Sequence, residues 1–433
     1  MTEWQSVTLG QISTQRKGIN YKSEDYGDQH SGHPFLTIKC FVKGGGYEPA
    51  GIKFYDGFST KSDHLRSCDI LFSVTDLTRA GDIVGSPLKV PDFGGDKPAL
   101  ASMDCMRIEP IAERCDKDFL FHRLMLQDVR RKMVAYSAGS TVLHLDTKKV
   151  PTITVRIPMS TKEQQKIASI LTGIDTAIEK TEALIAKYQQ IKAGLMHDLF
   201  TRGVTANGKL RPPREKAPDL YQETPIGWIP KEWNVNSLRG LVGAGNIING
   251  PFGSDLLTSE LKVNGVPVLY VQDIKPGYFK RVSNAHVTEL KATELAFCNV
   301  RQGDVLVAKV GAPPCDSCVY PFAEKAIVTQ DVIRIRPTPN VDSVYLSSLL
   351  NSPFGRKALK KIAIEGTRER VSLTEFKSLV FPIADAHEQV RVSERLTTTQ
   401  TIIEKEIRNR EKLRQQKLGL MSDLLSGSIR VVL

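Results

Sequence analysis

The sequence predicts an α+β protein built as a tandem repeat, with two α+β domains joined by two long antiparallel coiled-coil helices in a pseudo-two-fold layout. Three observations carry that prediction. Residues 163–199 and 388–424 align without a gap at an offset of 225, with 16 of 37 positions identical, a register too long to arise by chance. The regions before them correspond more loosely: Asp69-Ile70-Leu71-Phe72 with Asp304-Val305-Leu306-Val307, Ser102 to Ile108 with Thr329 to Ile335, and Ala138-Gly139-Ser140-Thr141 with Glu365-Gly366-Thr367-Arg368. Within those regions, short apolar runs bounded by Gly, Pro, Asp and Asn have the pattern of strands.

In chain order, residues 1–158 form the first domain, with strands at residues 35–38 and 70–74 and a helix over about 118–135. A first long helix spans 159–200, with Ser160 or Thr161 as its N-cap. Its apolar residues Ile167, Leu171, Ile174, Ile178, Ile185, Tyr188, Leu195 and Leu199 recur in threes and fours, a single stripe interrupted at Thr181 and Lys192. At 1.5 Å per residue such a helix is roughly 57 Å long, more than a core helix of one domain needs and suited to a spacer or coiled coil. Residues 201–218 hold Gly203, Gly208 and Pro212-Pro213 without apolar periodicity and are predicted to be a basic linker. The second domain, 219–384, has strands at 268–271 and 305–307 and a helix over about 342–362. The second long helix, 385–433, carries Leu396, Ile403, Leu413, Leu420 and Leu424 in the register of the first. Equal length and shared register imply that the two long helices pair.

With 433 residues, 41% hydrophobic and 25% charged, the chain can fill several cores, and global disorder is excluded. No apolar run is long enough to span a membrane. The first residues lack the pattern of a signal peptide, and the seven cysteines are odd in number. Reduced thiols and a cytoplasmic location are expected. The net charge of +11 points to an anionic partner, nucleic acid in the first place. It is unevenly spread: residues 1–160 and 219–386 carry only +2 each, whereas the linker alone carries +4.

Catalytic signatures fail on spacing. There is no GxxxxGK[ST] loop and no HExxH, and in Gly243-Ala244-Gly245 the third glycine of a dinucleotide fingerprint would fall on Ile248. Asn351-Ser352-Pro353-Phe354 resembles the loop of amino-methyltransferases but reads better as a turn capping a helix. Cys315-Asp316-Ser317-Cys318 is a single CxxC, half of a zinc site at most. The pattern favours a binding or scaffolding chain, and no cofactor and no metal is assigned to it.

Binding residues are sought where the repeat places basic helix ends before a glycine turn. Arg130, Arg131 and Lys132 precede Ser140 and Thr141, while Arg356, Lys357, Lys360 and Lys361 precede Thr367 and Arg368. Cations, hydroxyls and free N–H groups in that order suit a phosphate backbone. For base contacts, which need polar or basic side chains on loops, the candidates are Lys43, Arg79 and Lys97 in the first domain, and Asn249, Ser254 and Lys309 in the second.

On this layout, the chain resembles the specificity subunits of type I restriction-modification systems. The resemblance rests also on Pro225-Ile226-Gly227-Trp228 and Trp233, on Gly303-Asp304-Val305-Leu306, on Gln330-Asp331-Val332-Ile333, on the Glu-Gln opening of both long helices, and on Ile157-Pro158 and Phe381-Pro382 just before them. Ser67-Cys68-Asp69 departs from Gln302-Gly303-Asp304 in the equivalent place. The resemblance implies that each domain recognises one half of a split, asymmetric double-stranded DNA target. The helices would set the spacer and dock two methyltransferase subunits, while restriction subunits supply motor and nuclease. S-adenosylmethionine, ATP and magnesium would belong to those partners. Two alternatives stay open: the recognition subunit of a related restriction or phage-exclusion system, and a stand-alone DNA methyltransferase or nuclease.

Overall fold

The computed structural model describes residues 3–431 apart from 79, 365 and 367. The chain divides into two compact units, one of residues 1–182 and 408–433, the other of residues 183–407. Each is built from its own sheets and its own share of both long helices.

In the first unit, a four-stranded antiparallel sheet has the neighbour order Ser13–Lys17, Cys105–Pro110, Ile70–Ser73, Pro87–Lys89. Of its middle strands, Ile70–Ser73 is buried at all four residues, whereas Cys105–Pro110 buries Cys105, Met106 and Ile108 and leaves Glu109 exposed. A second sheet sets His33–Leu36 antiparallel to Lys53–Tyr55 and parallel to Leu100–Ala101. A third places the hairpin Ser137–Ala138 and Leu143–Leu145 beside Thr75–Asp76. Trp4–Thr8 pairs with Thr154–Pro158 and thereby brings the chain back to the start of the first long helix.

The second unit repeats this plan and adds Asn299–Val300 beside Ala326–Val328 and the hairpin Ile274–Lys275 with Tyr278–Phe279. Its four-stranded sheet runs Ile247–Asn249, Val332–Ile335, Val305–Ala308, Ser317–Val319. Val266–Leu269 lies antiparallel to His286–Val287 and parallel to Ala326–Val328. The hairpin Ala363–Ile364 and Glu369–Val371 lies beside Val310–Gly311, and Asn234–Ser237 pairs with Val380–Ile383. The loose sequence correspondences therefore mark equivalent strands. Cys68 takes φ 65° where Gly303 takes φ 90°, so the departure from glycine keeps the left-handed turn despite the Cβ.

The helix expected near the end of each domain is two helices. Lys117–Met125 is followed by Gln127–Ala135, and Ser343–Asn351 by Pro353–Lys360. Leu126 and Ser352 are extended at the breaks. Pro353 has no N–H to continue the first helix, and the Ser352 hydroxyl accepts from the Gly355 N–H at 3.0 Å to start the next. Asn351-Ser352-Pro353-Phe354 is thus a helix break with a cap.

The long helices are Thr161–Thr201 and Ala386–Ser426, 41 residues each. Within the first unit Asp175 meets Lys417 at 2.6 Å, and Glu182 meets Arg414 at 2.6 Å. Rising numbers on one helix face falling numbers on the other, so the pairing is antiparallel. Ile167 and Leu171 share a core there with Met421, Leu424 and Leu425, with Leu420 at its edge. Within the second unit, Leu199 packs with Val392 and Leu396, Leu195 lies beside them, and Lys192 donates to Gln400 at 2.8 Å. Ile185 and Ile403 are buried, and Ile174, Ile178, Tyr188 and Leu413 half-buried. Thr181, which interrupts the apolar pattern, is buried too, because its hydroxyl bonds to the Ala177 carbonyl at 2.8 Å. Among the described residues no helix is long and apolar enough to cross a membrane.

Candidate nucleic-acid interface

The start of each long helix is built around a buried carboxylate and amide. Glu388, fully buried, takes Arg211 Nη1 at 2.6 Å, Arg211 Nη2 at 2.9 Å and Trp233 Nε1 at 3.0 Å. Glu163 takes Trp4 Nε1 at 3.3 Å and lies 3.5 Å from Arg430. Gln389 accepts from the Asp342 N–H at 2.9 Å and donates to the Ala384 carbonyl at 2.9 Å. Gln164 does the same with Asp116 N–H at 2.8 Å and the Pro158 carbonyl at 2.9 Å. The Glu-Gln pair is thus a lock that fixes each long helix to its own sheets. The linker is drawn into it: Val204 and Arg211 are buried, and Val204 bridges Leu210.

The basic helix ends divide into clamps and exposed cations. Arg130 donates to the Asp82 carbonyl at 2.7 Å. Arg356, at the equivalent helix position, pairs with Asp316 at 2.5 Å and donates to the Pro314 carbonyl at 2.8 Å. Both arginines are half-buried and fasten the loop that follows the edge strand of the hairpin sheet. Burial holds Arg130 below the usual arginine range, against the pull of Asp82 and Asp76. Arg131 and Lys132 are exposed, with Lys132 Nζ on the Thr154 carbonyl at 2.8 Å. Lys357, Lys360 and Lys361 are exposed as well. Ser140, Thr141 and Arg368 lie exposed on the hairpin turns, and Thr367 lies outside the described residues.

Of the base-contact candidates, the second unit brings two together with Arg368. The Asn249 amide donates to the Gln330 carbonyl at 3.4 Å, and the Lys309 N–H donates to the Asp331 carbonyl at 2.8 Å. Gln330, Asp331 and Arg368 line a cleft of about 630 Å³ that also takes in Tyr270 and Gln272. Ser254 is on an exposed loop beside Asp255, with no part in that cleft. In the first unit Lys43 sits on the glycine loop and pairs with Asp82 at 2.5 Å, Lys97 is exposed ahead of Leu100–Ala101, and Arg79 lies outside the described residues. Gln272 and Gln330 are not among the binding candidates named from the sequence; Gln330 stands in the Gln-Asp-Val-Ile motif, read there as a mark of the repeat and of the resemblance, and Gln272 carries no such signal.

The two cysteines of the CxxC do not face one site. Cys315 is buried in the core that holds Trp233, and Cys318 in the separate core behind Val266–Leu269. No group of three metal-binding side chains is found among the described residues.

Residues 1–190 match the family model described as the type I restriction modification DNA specificity domain. The chain is 25% identical over 387 residues to the type I restriction enzyme MjaVIII specificity subunit of Methanocaldococcus jannaschii, covering 87% of this chain and 84% of that one. It is 22% identical over 425 residues to the EcoBI specificity subunit of Escherichia coli, covering 94% and 82%. The likeness to type I restriction enzyme specificity subunits runs over most of the chain, and that to the family model over its first 190 residues. The fold agrees: the crystal structure of the S subunit from M. genitalium superposes with a TM-score of 0.57 at 13% identity, covering 98% of this chain and 96% of that one. A second structure, from work on assembly of the type I restriction-modification system, gives 0.55 at 15%, covering 98% and 97%.

Proposed function

We propose that this chain is a specificity subunit that directs a type I restriction-modification complex to a bipartite, asymmetric DNA target, each unit's sheets and loops reading one half-site. The observation that carries the reading is the duplicated frame. Both units keep the same strand order and the same Glu-Gln lock, while the loops at the strand ends differ. A common frame with different loops suits two different half-sites. The unbroken 41-residue helices supply a spacer of fixed length. Exposed cations on the helix ends and hairpin turns hold the phosphate backbone, and the chain docks two methyltransferase subunits and the restriction subunits.

In this reading the chain is non-catalytic. Purified alone with S-adenosylmethionine and DNA, it transfers no methyl group; transfer by the isolated chain would refute that role. Methylation mapping in cells carrying the subunit with its methyltransferase tests the rest. The expected result is a split motif with methyladenine in both halves. Lengthening both long helices by equal insertions should change the unread spacer and leave both half-sites intact.

A further inference from the structure

Three positions stand at the same places in the two units and carry different chemistry. The last residue of the first strand of the four-stranded sheet is Lys17 in one unit and Asn249 in the other. Each is followed by a glycine, Gly18 or Gly250, whose Cβ would lie within 2.2 Å of the backbone of the turn opposite. That turn begins at Ser102 or Thr329, whose N–H donates to the Leu36 or Leu269 carbonyl at 2.9 and 3.1 Å. Its next residue is Met103 in one unit and Gln330 in the other. It ends at Asp104 or Asp331, whose carbonyl accepts from the Val74 or Lys309 N–H, at 2.8 Å in both. Three residues beyond Leu36 and Leu269 stand Lys39 and Gln272, both exposed.

The backbone is thus held in one register by the same bonds, and glycine is kept where no Cβ fits. The side chains projecting from it are not kept: Lys17, Lys39 and Met103 stand where the second unit has Asn249, Gln272 and Gln330. Elsewhere equivalent places keep their chemistry, as Trp4 and Trp233, Asp69 and Asp304, and both Glu-Gln pairs do. In the second unit Gln272 and Gln330 line the 630 Å³ cleft with Arg368, and Asn249 is bonded to its wall.

We infer that these three positions are the base-reading set of each unit. The amides Asn249, Gln272 and Gln330 suit paired hydrogen bonds to adenine, lysine suits the acceptors of guanine, and a methionine suits the methyl group of thymine. The second unit therefore selects a half-site with adenine at the contacted positions, and the first unit one with guanine and thymine. This rests on the reading of the chain as a DNA specificity subunit.

The test uses the intact subunit co-expressed with its methyltransferase, with methylated sites mapped across the genome. Gln272→Lys and Gln330→Met should shift or relax the second half-site at one or two base pairs, changing discrimination there about tenfold or more, with the first half-site unchanged. Lys39→Gln should do the reverse. Gln272 and Lys39 are exposed, so their exchange leaves the cores intact, and an unchanged melting temperature with retained methyltransferase binding checks this. Folded variants that methylate the parental motif with parental selectivity overturn the assignment, as does a change in the opposite half-site. A parental complex that methylates no split motif refutes the specificity reading itself, a distinct outcome.

Discussion

Glu388 has no contact with water, and its charge is tolerated only because Arg211 and Trp233 bond to both of its oxygens. Removing one partner of such a pair leaves an uncompensated buried charge, which typically costs about 3–5 kcal/mol. Glu388→Ala should therefore lower the unfolding free energy of the second unit, read from urea titration, by that order, and Glu388→Gln by less. Cys68 presents the opposite case. A non-glycine residue in the left-handed region is strained by about 1–2 kcal/mol, so Cys68→Gly should stabilise the first unit, by up to about 1 kcal/mol after the added freedom of the unfolded chain is offset. The reverse exchange, Gly303→Cys, should destabilise the second unit.

His122 links stability to pH. It is buried, with Thr172 Oγ1 at 3.2 Å from Nε2 and Asp175 at 4.0 Å from Nδ1. Burial, followed by the charges of Lys89 and Lys417, pushes its pKa down to about 3, against a weaker upward pull from Asp118. An unfolded histidine titrates near 6.5. Between those values the unfolded chain binds a proton that the folded one refuses, so this stabilisation is whole above about 6.5 and is lost as pH falls towards 3. Melting of the first unit between pH 7 and 5 should show this loss, and His122→Asn should flatten it. An unchanged slope would exclude His122 as the source.

The elements that organise the molecule are the paired long helices and the locks at their starts. The stripe from Ile167 to Leu199 was readable because a 41-residue helix repeats its period many times. The lock was not. Glu163, Gln164, Glu388 and Gln389 are polar residues at a helix start, where composition alone suggests ordinary first-turn charges. Only the fold brings Trp4, Trp233 and Arg211 to them. Gln389→Ala would remove the partner of the part-buried Asp342 N–H and leave the buried Ala384 carbonyl unsatisfied, the latter at about 1–3 kcal/mol. The expected outcome is a loosened junction, seen as faster amide exchange around the first turn of Ala386–Ser426, while the centre of the helix stays protected. The split of the first domain's terminal helix was also missed, since an apolar pattern runs through Leu126; in the second domain Ser352-Pro353 reads as a helix-capping turn, although one helix was expected over about 342–362. The candidate cleft was half legible: Asn249 and Arg368 were marked by residue type, whereas Gln272 and Gln330 join them through strand pairing that the sequence does not display.

Over the molecule as a whole, charge and repetition decide different things. Of the net +11, the 18-residue linker carries +4, while residues 1–160 and 219–386 carry only +2 each. Affinity for DNA from counterion release scales with the number of phosphates neutralised. The chain by itself should bind DNA weakly with a shallow dependence on salt, and the assembled complex should show a steeper one. Titrations of labelled duplex from 50 to 200 mM salt would measure both slopes, and equal slopes would place the phosphate grip in this chain alone.

Repetition was determined by sequence, because a constant offset over 37 positions survives divergence of everything between. So were the two long helices, since a periodic apolar stripe is local information, whereas the ion pairs Asp175–Lys417 and Glu182–Arg414 fix the antiparallel direction that the layout led one to expect. The tertiary structure decided which polar residues are structural and which are exposed for binding. Arg130, Arg356 and Arg211 are all basic residues in basic stretches, but burial and partners turn them into clamps, while Lys357, Lys360 and Lys361 remain in water. The physical reason is that a charge has the same identity everywhere in a sequence, and its role is set by solvent and by partners that long-range strand pairing supplies.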